Sequence, residues 1–263
     1  MVPARGYSVH GFGFDPKSDD YKVLRIVYEH GRDRFSPRVK LFKLSTGAWK
    51  YVRFLDDFDY FIGGTNVFQA FVNGASHWLG QHYSKKELVI VLFHMFDEEF
   101  RVMKLPDVVA TRYVTSFLEV SGGLLSLIYY DDDASPGNES CCIWLMKDYG
   151  VIESWTKQYT LGLRDCMGLI RSFRNILLLT KIKINRDRNI EEQLELELAL
   201  YDLKTKRFIN SGIRSMDCRL SMNVYIENLV LLNQVNAMPD KCETSWRERM
   251  RLTKWPEKDV LLI

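Results

Sequence analysis

The chain alternates apolar and polar residues over short stretches. Leu194, Leu196, Leu198 and Leu200 alternate with Glu195, Glu197 and Ala199. That period of two puts the leucines on one face of a β-strand and the two glutamates on the opposite, solvent-facing side; a helix would scatter the leucines around its circumference. Lys181-Ile182-Lys183-Ile184 alternates in the same way. Four longer segments share one pattern: VKLFKLSTGAW, IVLFHMFDEEF, CCIWLMKDYGV and LALYDLKTKRF. Each is an apolar strand, a polar turn and a second strand. The aromatics Phe42, Phe93, Trp144 and Tyr201 are 51, 51 and 57 residues apart, and a bulky apolar residue follows seven positions later (Trp49, Phe100, Val151, Phe208).

A second set, FVNGASHWL, EVSGGLLSLI, RSFRNILLLT and YIENLVLLN, reads as strand pairs around turns spaced 49, 52 and 53 residues apart. A repeat near fifty residues built from strands predicts propeller blades of the kelch length class. With strands named A to D, the first blade is Val9–Phe14, Tyr21–Tyr28, Arg38–Leu44 and Trp49–Phe54. The second is Phe68–Val72, Ser76–Leu79, Leu88–His94 and Phe100–Leu105. The third runs from Ser116 to Leu161, the fourth from Met167 to Asn210, and Met222–Asn233 begins a fifth. The expected fold is all-β, a kelch-like β-propeller over residues 1–235 followed by a polar tail, 236–263, with a helix over Ser245–Lys254. A two-sheet sandwich is the runner-up.

Composition changes this picture little. At 263 residues, 46% of them apolar, the chain can bury a sizeable core, and a +2 net charge gives no global field for nucleic acid. No run reaches the roughly 18 apolar residues of a membrane span, and the first ten residues lack a signal-peptide layout. Five cysteines without CxxC spacing argue against a disulfide framework and for a reducing cytoplasmic or nuclear setting.

The stretch His10–Val23, HGFGFDPKSDDYKV, reads as two strands around a turn, with Gly11 and Gly13 permitting close backbone approach and Pro16 setting φ. GFGFDPKSDDYKV resembles the opening of the plant F-box-associated domain. The resemblance continues in order through VNGASHWLG, FDEEFRVMKLP, Trp155–Lys157, LALYDLKTKRF and VYIENLVLLN, from about Val9 to Asn233. It implies a non-catalytic, substrate-recognition module of a Skp–cullin–F-box ubiquitin ligase. Its partner is a target protein for ubiquitination, with Skp adaptor and cullin reached through an F-box. KQYTL, LALYDLKTKRFINSG and VYIENLVLLN are similar to S-locus F-box proteins of self-incompatibility. Relatives carry an F-box and a Trp-Asn-Pro strand pair upstream of GFGFDP; neither stands in this sequence, so an incomplete propeller of four blades and part of a fifth is expected.

Candidate chemistry is sparse. Gly11-Phe12-Gly13 precedes Phe14-Asp15-Pro16 rather than a helix start, which fails the dinucleotide context. His77 and His82, with His94 nearby, suggest a metal set, but zinc wants neighbouring ligands on a turn or helix, whereas His77 and Trp78 face opposite sides of a strand and His82 falls in a loop. Cys141 and Cys142 point to opposite faces, and no Cys–His nucleophile signature accompanies Cys166 or Cys218. Trp49, Trp78, Trp144, Phe93 and Phe100 read as packing residues. No metal, cofactor, membrane or nucleic-acid partner is expected, and no enzyme activity. The other reading is a carbohydrate-binding or hydrolytic propeller, which needs paired carboxylates or exposed aromatics around a channel. The B–C connections Glu29–Pro37, Gln81–Lys86, Asp131–Ser140 and Asn185–Gln193 are longer and more charged than the A–B and C–D turns. Recognition residues concentrate in such loops, so Arg32, Arg34, Asp131, Asp132, Asp133, Arg186 and Arg188 are the candidate protein-binding residues.

Overall fold

A computed structural model describes residues 7–28, 37–55, 60–63, 69–110, 116–131, 140–162, 166–173, 176–185 and 193–215, with backbone alone for 131, 166–173, 182–185, 193–196, 210 and 215. All of these lie in one compact unit, Met1–Leu220. The proposed fifth blade and the tail helix fall outside the described residues.

Four antiparallel sheets follow one another along the chain. The first is β1 (Tyr7–Asp15), β2 (Asp20–Tyr28), β3 (Arg38–Lys43) and β4 (Ala48–Val52), in that spatial order. In the second, β5 (Tyr60–Ile62) and β6 (Ala70–Val72) each pair with a different part of β7 (Ala75–His82), and β8 (Leu88–His94) and β9 (Glu99–Lys104) follow. A short helix, α1 (Asp107–Ala110), leads to the third: β10 (Ser116–Ser121), β11 (Leu124–Asp131), β12 (Ser140–Met146) and β13 (Trp155–Gly162). The fourth is β14 (Cys166–Phe173), β15 (Ile176–Asn185), β16 (Gln193–Asp202) and β17 (Arg207–Ser215). These are separate antiparallel sheets in series, three of four strands and one of five, not the two large sheets of a sandwich.

The apolar cores lie between consecutive sheets. Val9, Leu24, Ile26 and Leu41 of the first sheet pack with Trp78, Val89, Val91 and Phe93 of the second. Ile90 on the other side of β8 joins Leu118, Leu125, Leu127 and Cys142 of the third sheet, with Val109 of α1 beside them. Phe117, Ile128, Cys141 and Ile143 meet Leu177 and Leu179 of the fourth. A middle sheet is thus buried on both faces, which is why LVIVLFH reads as a continuous apolar run rather than an alternating one. Adjacent Cys141 and Cys142 enter different cores, and burial pushes the Cys141 thiol up to about 12.

The recurring aromatic pair has a register explanation. Phe42 stands opposite Trp49, Phe93 opposite Phe100, and Tyr201 opposite Phe208, with ring centroids 5.3, 4.9 and 4.8 Å apart. Each pair closes a four-residue turn whose last member has a left-handed backbone: Gly47 (φ 62), Glu98 (φ 58) and Lys206 (φ 54). Phe14, Asp19 (φ 50) and Tyr21 repeat the spacing between β1 and β2.

The third sheet departs from the pattern. A longer connection with a 3-10 turn at Ile152–Ser154 and a register shift at Ile143/Trp144 put Lys157, not Val151, opposite Trp144. Val151 is exposed in the connection.

Two further expectations are corrected. Glu197 is 4% exposed, not solvent-facing, because β16 is an inner strand and Glu197 stands between Lys181 and Arg214 in a row of alternating charge. Gln81 and His82 belong to β7, not to a loop. The connection after them is a tight turn closed by His82 N–H to the Glu87 carbonyl (2.8 Å) and Lys86 N–H to the His82 carbonyl (2.7 Å).

Candidate protein-interaction surface

Antiparallel order puts the A–B and C–D turns at one end of the sheets and the B–C connections at the other. The turn end is built around Asp15 and Lys22, both in the GFGFDPKSDDYKV stretch and both buried. Asp15 lies at the end of β1. It accepts from Lys17 N–H (3.0 Å), Ser18 Oγ (2.6 Å) and Lys22 Nζ (2.9 Å). Burial raises the Asp15 carboxyl, and these donors more than offset it, bringing it down to about 2.

Lys22 also donates to the Met95 carbonyl (2.6 Å) and to Glu98 Oε1 (3.0 Å), both in the C–D turn of the second sheet. Lys22 and Lys43 stand directly opposite each other on β2 and β3, an arrangement that repels. Glu98 resolves it: the same Oε1 meets Lys43 Nζ at 2.8 Å, and Oε2 pairs with Lys50. Burial raises the Glu98 carboxyl, but Lys43, Lys50 and Lys22 together hold it at about 2. Burial lowers the Lys22 ammonium, and Asp15 and Glu98 reverse that to leave it raised.

The glycines of this stretch are shaped by the next sheet. An added Cβ on Gly13 falls 2.2 Å from the Phe71 ring, and one on Gly11 falls 2.7 Å from Trp78 Cζ2. Side-chain rings, rather than a neighbouring backbone, make the close approach. Gln69 completes the seam by mimicking a strand: its Oε1 accepts from Phe12 N–H (2.6 Å) and its Nε2 donates to the Phe12 carbonyl (2.5 Å).

His77 joins the second and third sheets. The Ala70 carbonyl, 3.0 Å from Nδ1, can only accept, so Nδ1 carries the proton and Nε2 accepts from Tyr149 OH at 2.8 Å. Burial lowers the imidazole to about 4, which keeps it neutral. Trp78 faces the opposite core, as the strand alternation requires. Among the described residues no three His, Cys, Asp or Glu side chains are grouped to hold a metal ion.

Of the candidate binding residues, Arg32, Arg34, Asp132, Asp133, Arg186 and Arg188 lie outside the described residues. Asp131 ends β11 opposite Ser140, at the margin of its B–C connection. Sequence reasoning missed the ion cluster because Glu98 is 76 residues from Lys22. The spacing shared by Phe14–Tyr21 and the C–D turns was the available signal.

The family model described as the F-box associated beta propeller domain matches residues 3–231. The chain belongs to this family. Relatives in Arabidopsis thaliana include F-box protein CPR1, 27% identical, with 98% of this chain and 66% of that protein covered. F-box protein At4g22390 is 23% identical (86% and 58% covered), and F-box/kelch-repeat protein At3g23880 is 24% identical (86% and 57% covered). The chain thus spans about three-fifths of the length of these relatives. The solved structure of MPT-4, a mannose phosphorylase from Leishmania mexicana, superposes with a TM-score of only 0.36 at 13% identity, covering 76% of this chain and 65% of that one; so loose a match assigns nothing.

Proposed function

We propose that this F-box associated domain is the target-holding part of a Skp–cullin–F-box ubiquitin-ligase receptor and carries out no chemistry itself. Its contribution is proximity and orientation: it holds a target protein where a separate enzyme can modify it. One observation carries the reading. Among the described residues, three polar groups of the kind that build active sites, Asp15, Glu98 and His77, are used to join sheets. Asp15 and Glu98, the two carboxylates held at about 2, share Lys22 in a single ion cluster, and neutral His77 is bonded at both ring nitrogens. A hydrolytic site needs carboxylates facing a substrate, and these two face a lysine.

The same economy favours the B–C end for target docking. The turn end is interlocked: Ser45 N–H and Oγ bind Asp20, Met95 N–H binds the Gly74 carbonyl, and Lys17 lies 3.5 Å over the Phe96 ring. We assign recognition to the connections carrying Arg32, Arg34, Asp131–Asp133, Arg186 and Arg188, whose mixed signs tune specificity and association rate more than affinity.

The test uses the chain joined to an F-box, with targets captured from plant extract and identified by mass spectrometry. Arg32→Glu, Arg34→Glu, Arg186→Glu and Arg188→Glu together are expected to abolish capture while preserving the melting temperature. Lys17→Glu with Lys204→Glu at the turn end is expected to leave capture intact. Capture that survives the first set, or is lost only in the second, refutes the assignment.

A further inference from the structure

The C–D turn of the fourth sheet breaks the rule that holds in the first two. There the charges are paired: Lys43 and Lys50 with Glu98, and Arg101 with Asp97. In the fourth sheet the place of Glu98 is held by Lys206, left-handed at φ 54 like its counterpart. Lys204–Ile209, six consecutive residues, are all exposed. Among the described residues Lys204, Lys206 and Arg207 enter no salt bridge. The carboxylate nearest in sequence, Asp202, is committed to closing the turn, accepting from Lys204 N–H (2.8 Å) and Thr205 N–H (3.3 Å). Asp202 stands opposite Arg207 without an ion pair between them, so three cations share one occupied carboxylate.

An apolar row borders this turn. Leu178, Leu200 and Ile209 stand side by side across β15, β16 and β17, on the face away from Leu177 and Leu179, which pack with the third sheet. Leu178 and Leu200 are half-buried, and Ile209, on the outermost strand, is 47% exposed. Phe208 is 48% exposed on the other face, and its ring is engaged: Tyr201 meets it at 4.8 Å and Lys181 Nζ lies 3.7 Å from its centre.

We propose that the Lys204–Ile209 corner binds an acidic segment of a partner protein, its carboxylates meeting Lys204, Lys206 and Arg207 while an apolar side chain among them rests on Leu200 and Ile209. Exposed cations set association rate and selectivity, and the apolar contact supplies the affinity. Single-stranded nucleic acid also seeks cations beside an aromatic, but a base stacking on Phe208 has to displace Lys181 from that ring. Nor does an anionic membrane fit as well: Phe208 and Ile209 point to opposite sides of β17, so no one plane takes both behind the cations. Cations on a turn also favour solubility, a role that needs no partner and that exposed Ile209 beside them does not serve. The corner lies at the opposite end of the sheets from the B–C connections and does not depend on the ligase reading.

The probe is a fluorescein-labelled, acetylated peptide with Glu and Asp flanking a central Leu-Val pair, titrated into the full chain by anisotropy. Saturable binding is expected, weakening as salt screens it, falling about tenfold in Lys204→Glu/Arg207→Glu and about threefold in Ile209→Ser. Lys17→Glu on the first sheet and the Arg32/Arg34/Arg186/Arg188 reversals are expected to change nothing. If the double reversal fails to melt cooperatively, Lys204→Gln/Arg207→Gln replaces it, with a smaller loss in the same direction. Absence of binding, equal binding of the Gln/Asn version of the peptide, or a double variant within about twofold of the parent overturns the proposal. So does equal or tighter binding of an oligodeoxynucleotide of matched charge or of phosphatidylserine-containing vesicles. A dimer in sedimentation that the double reversal dissolves also overturns it, since a second copy of the chain then occupies the corner.

Discussion

Glu98 has the backbone of a glycine and the side chain of a clamp. At φ 58 it occupies the place that Gly47 fills in the first sheet. Glu98→Gly relaxes that conformation yet is expected to lower stability by about 2 kcal/mol, because Lys22 and Lys43 are left opposite each other without their shared carboxylate. Lys22→Met is expected to cost about 3 kcal/mol by stranding Asp15, and Asp15→Asn in the same chain recovers much of it. Urea unfolding of the two singles and the double measures both effects. Acidification should act in two windows. His77 titrates at an ordinary 6.5 when unfolded and about 4 when folded, so the unfolded chain takes up its proton first, and stability falls between those values by on the order of 3 kcal/mol. Asp15 and Glu98, depressed from 3.8 and 4.5 to about 2, lose their contribution as the pH falls from about 4.5 towards 2. His77→Gln is expected to flatten the first window and spare the second in melting experiments across pH. Asp15 and Lys22 were visible in GFGFDPKSDDYKV, but their pairing with a turn 76 residues away was not, because nothing local in a sequence reports which blade abuts which.

At the scale of strands and turns, the chain was far more legible. LELELALY alternates and forms a strand as that period requires, its backbone paired with β15 from Gln193 opposite Asn185 to Asp202 opposite Ile176. What alternation does not disclose is whether the polar face meets water. Glu197 is buried, so Glu197→Lys, which sets three cations in a row with Lys181 and Arg214, joins Leu198→Asp as a severe change, at about 3 kcal/mol or more each. The yield of soluble protein and its urea midpoint check this pair. Lys206 offers the opposite case. It ends a C–D turn at φ 54 and is exposed, so Lys206→Gly should raise stability by about 0.5 kcal/mol, where Gly47→Ala lowers it. β5 escaped the reading because three residues, Tyr60–Ile62, are too few to show a period, and β7 serves both it and β6.

Across the whole molecule, repeat spacing located four sheets to within a few residues, since each is a self-contained meander with its own turn chemistry. The recognition residues were placed on loop length and charge, properties that identify an available surface without naming what it meets. The placing of the three described cores between consecutive sheets has a consequence for synthesis. The first sheet can complete its hydrogen bonds once Val52 has left the ribosome, but one of its faces stays bare until β7 and β8 emerge. At about 5 to 20 residues per second, that wait lasts several seconds per blade and recurs with each one. Nascent chains arrested after residue 55 are therefore expected to bind chaperones and to be cut readily by protease, whereas those arrested with residue 105 outside the exit tunnel hold their first two sheets protected. A polypeptide built this way never passes through a finished domain on the way to the next; each stretch of translation delivers the cover for the one before.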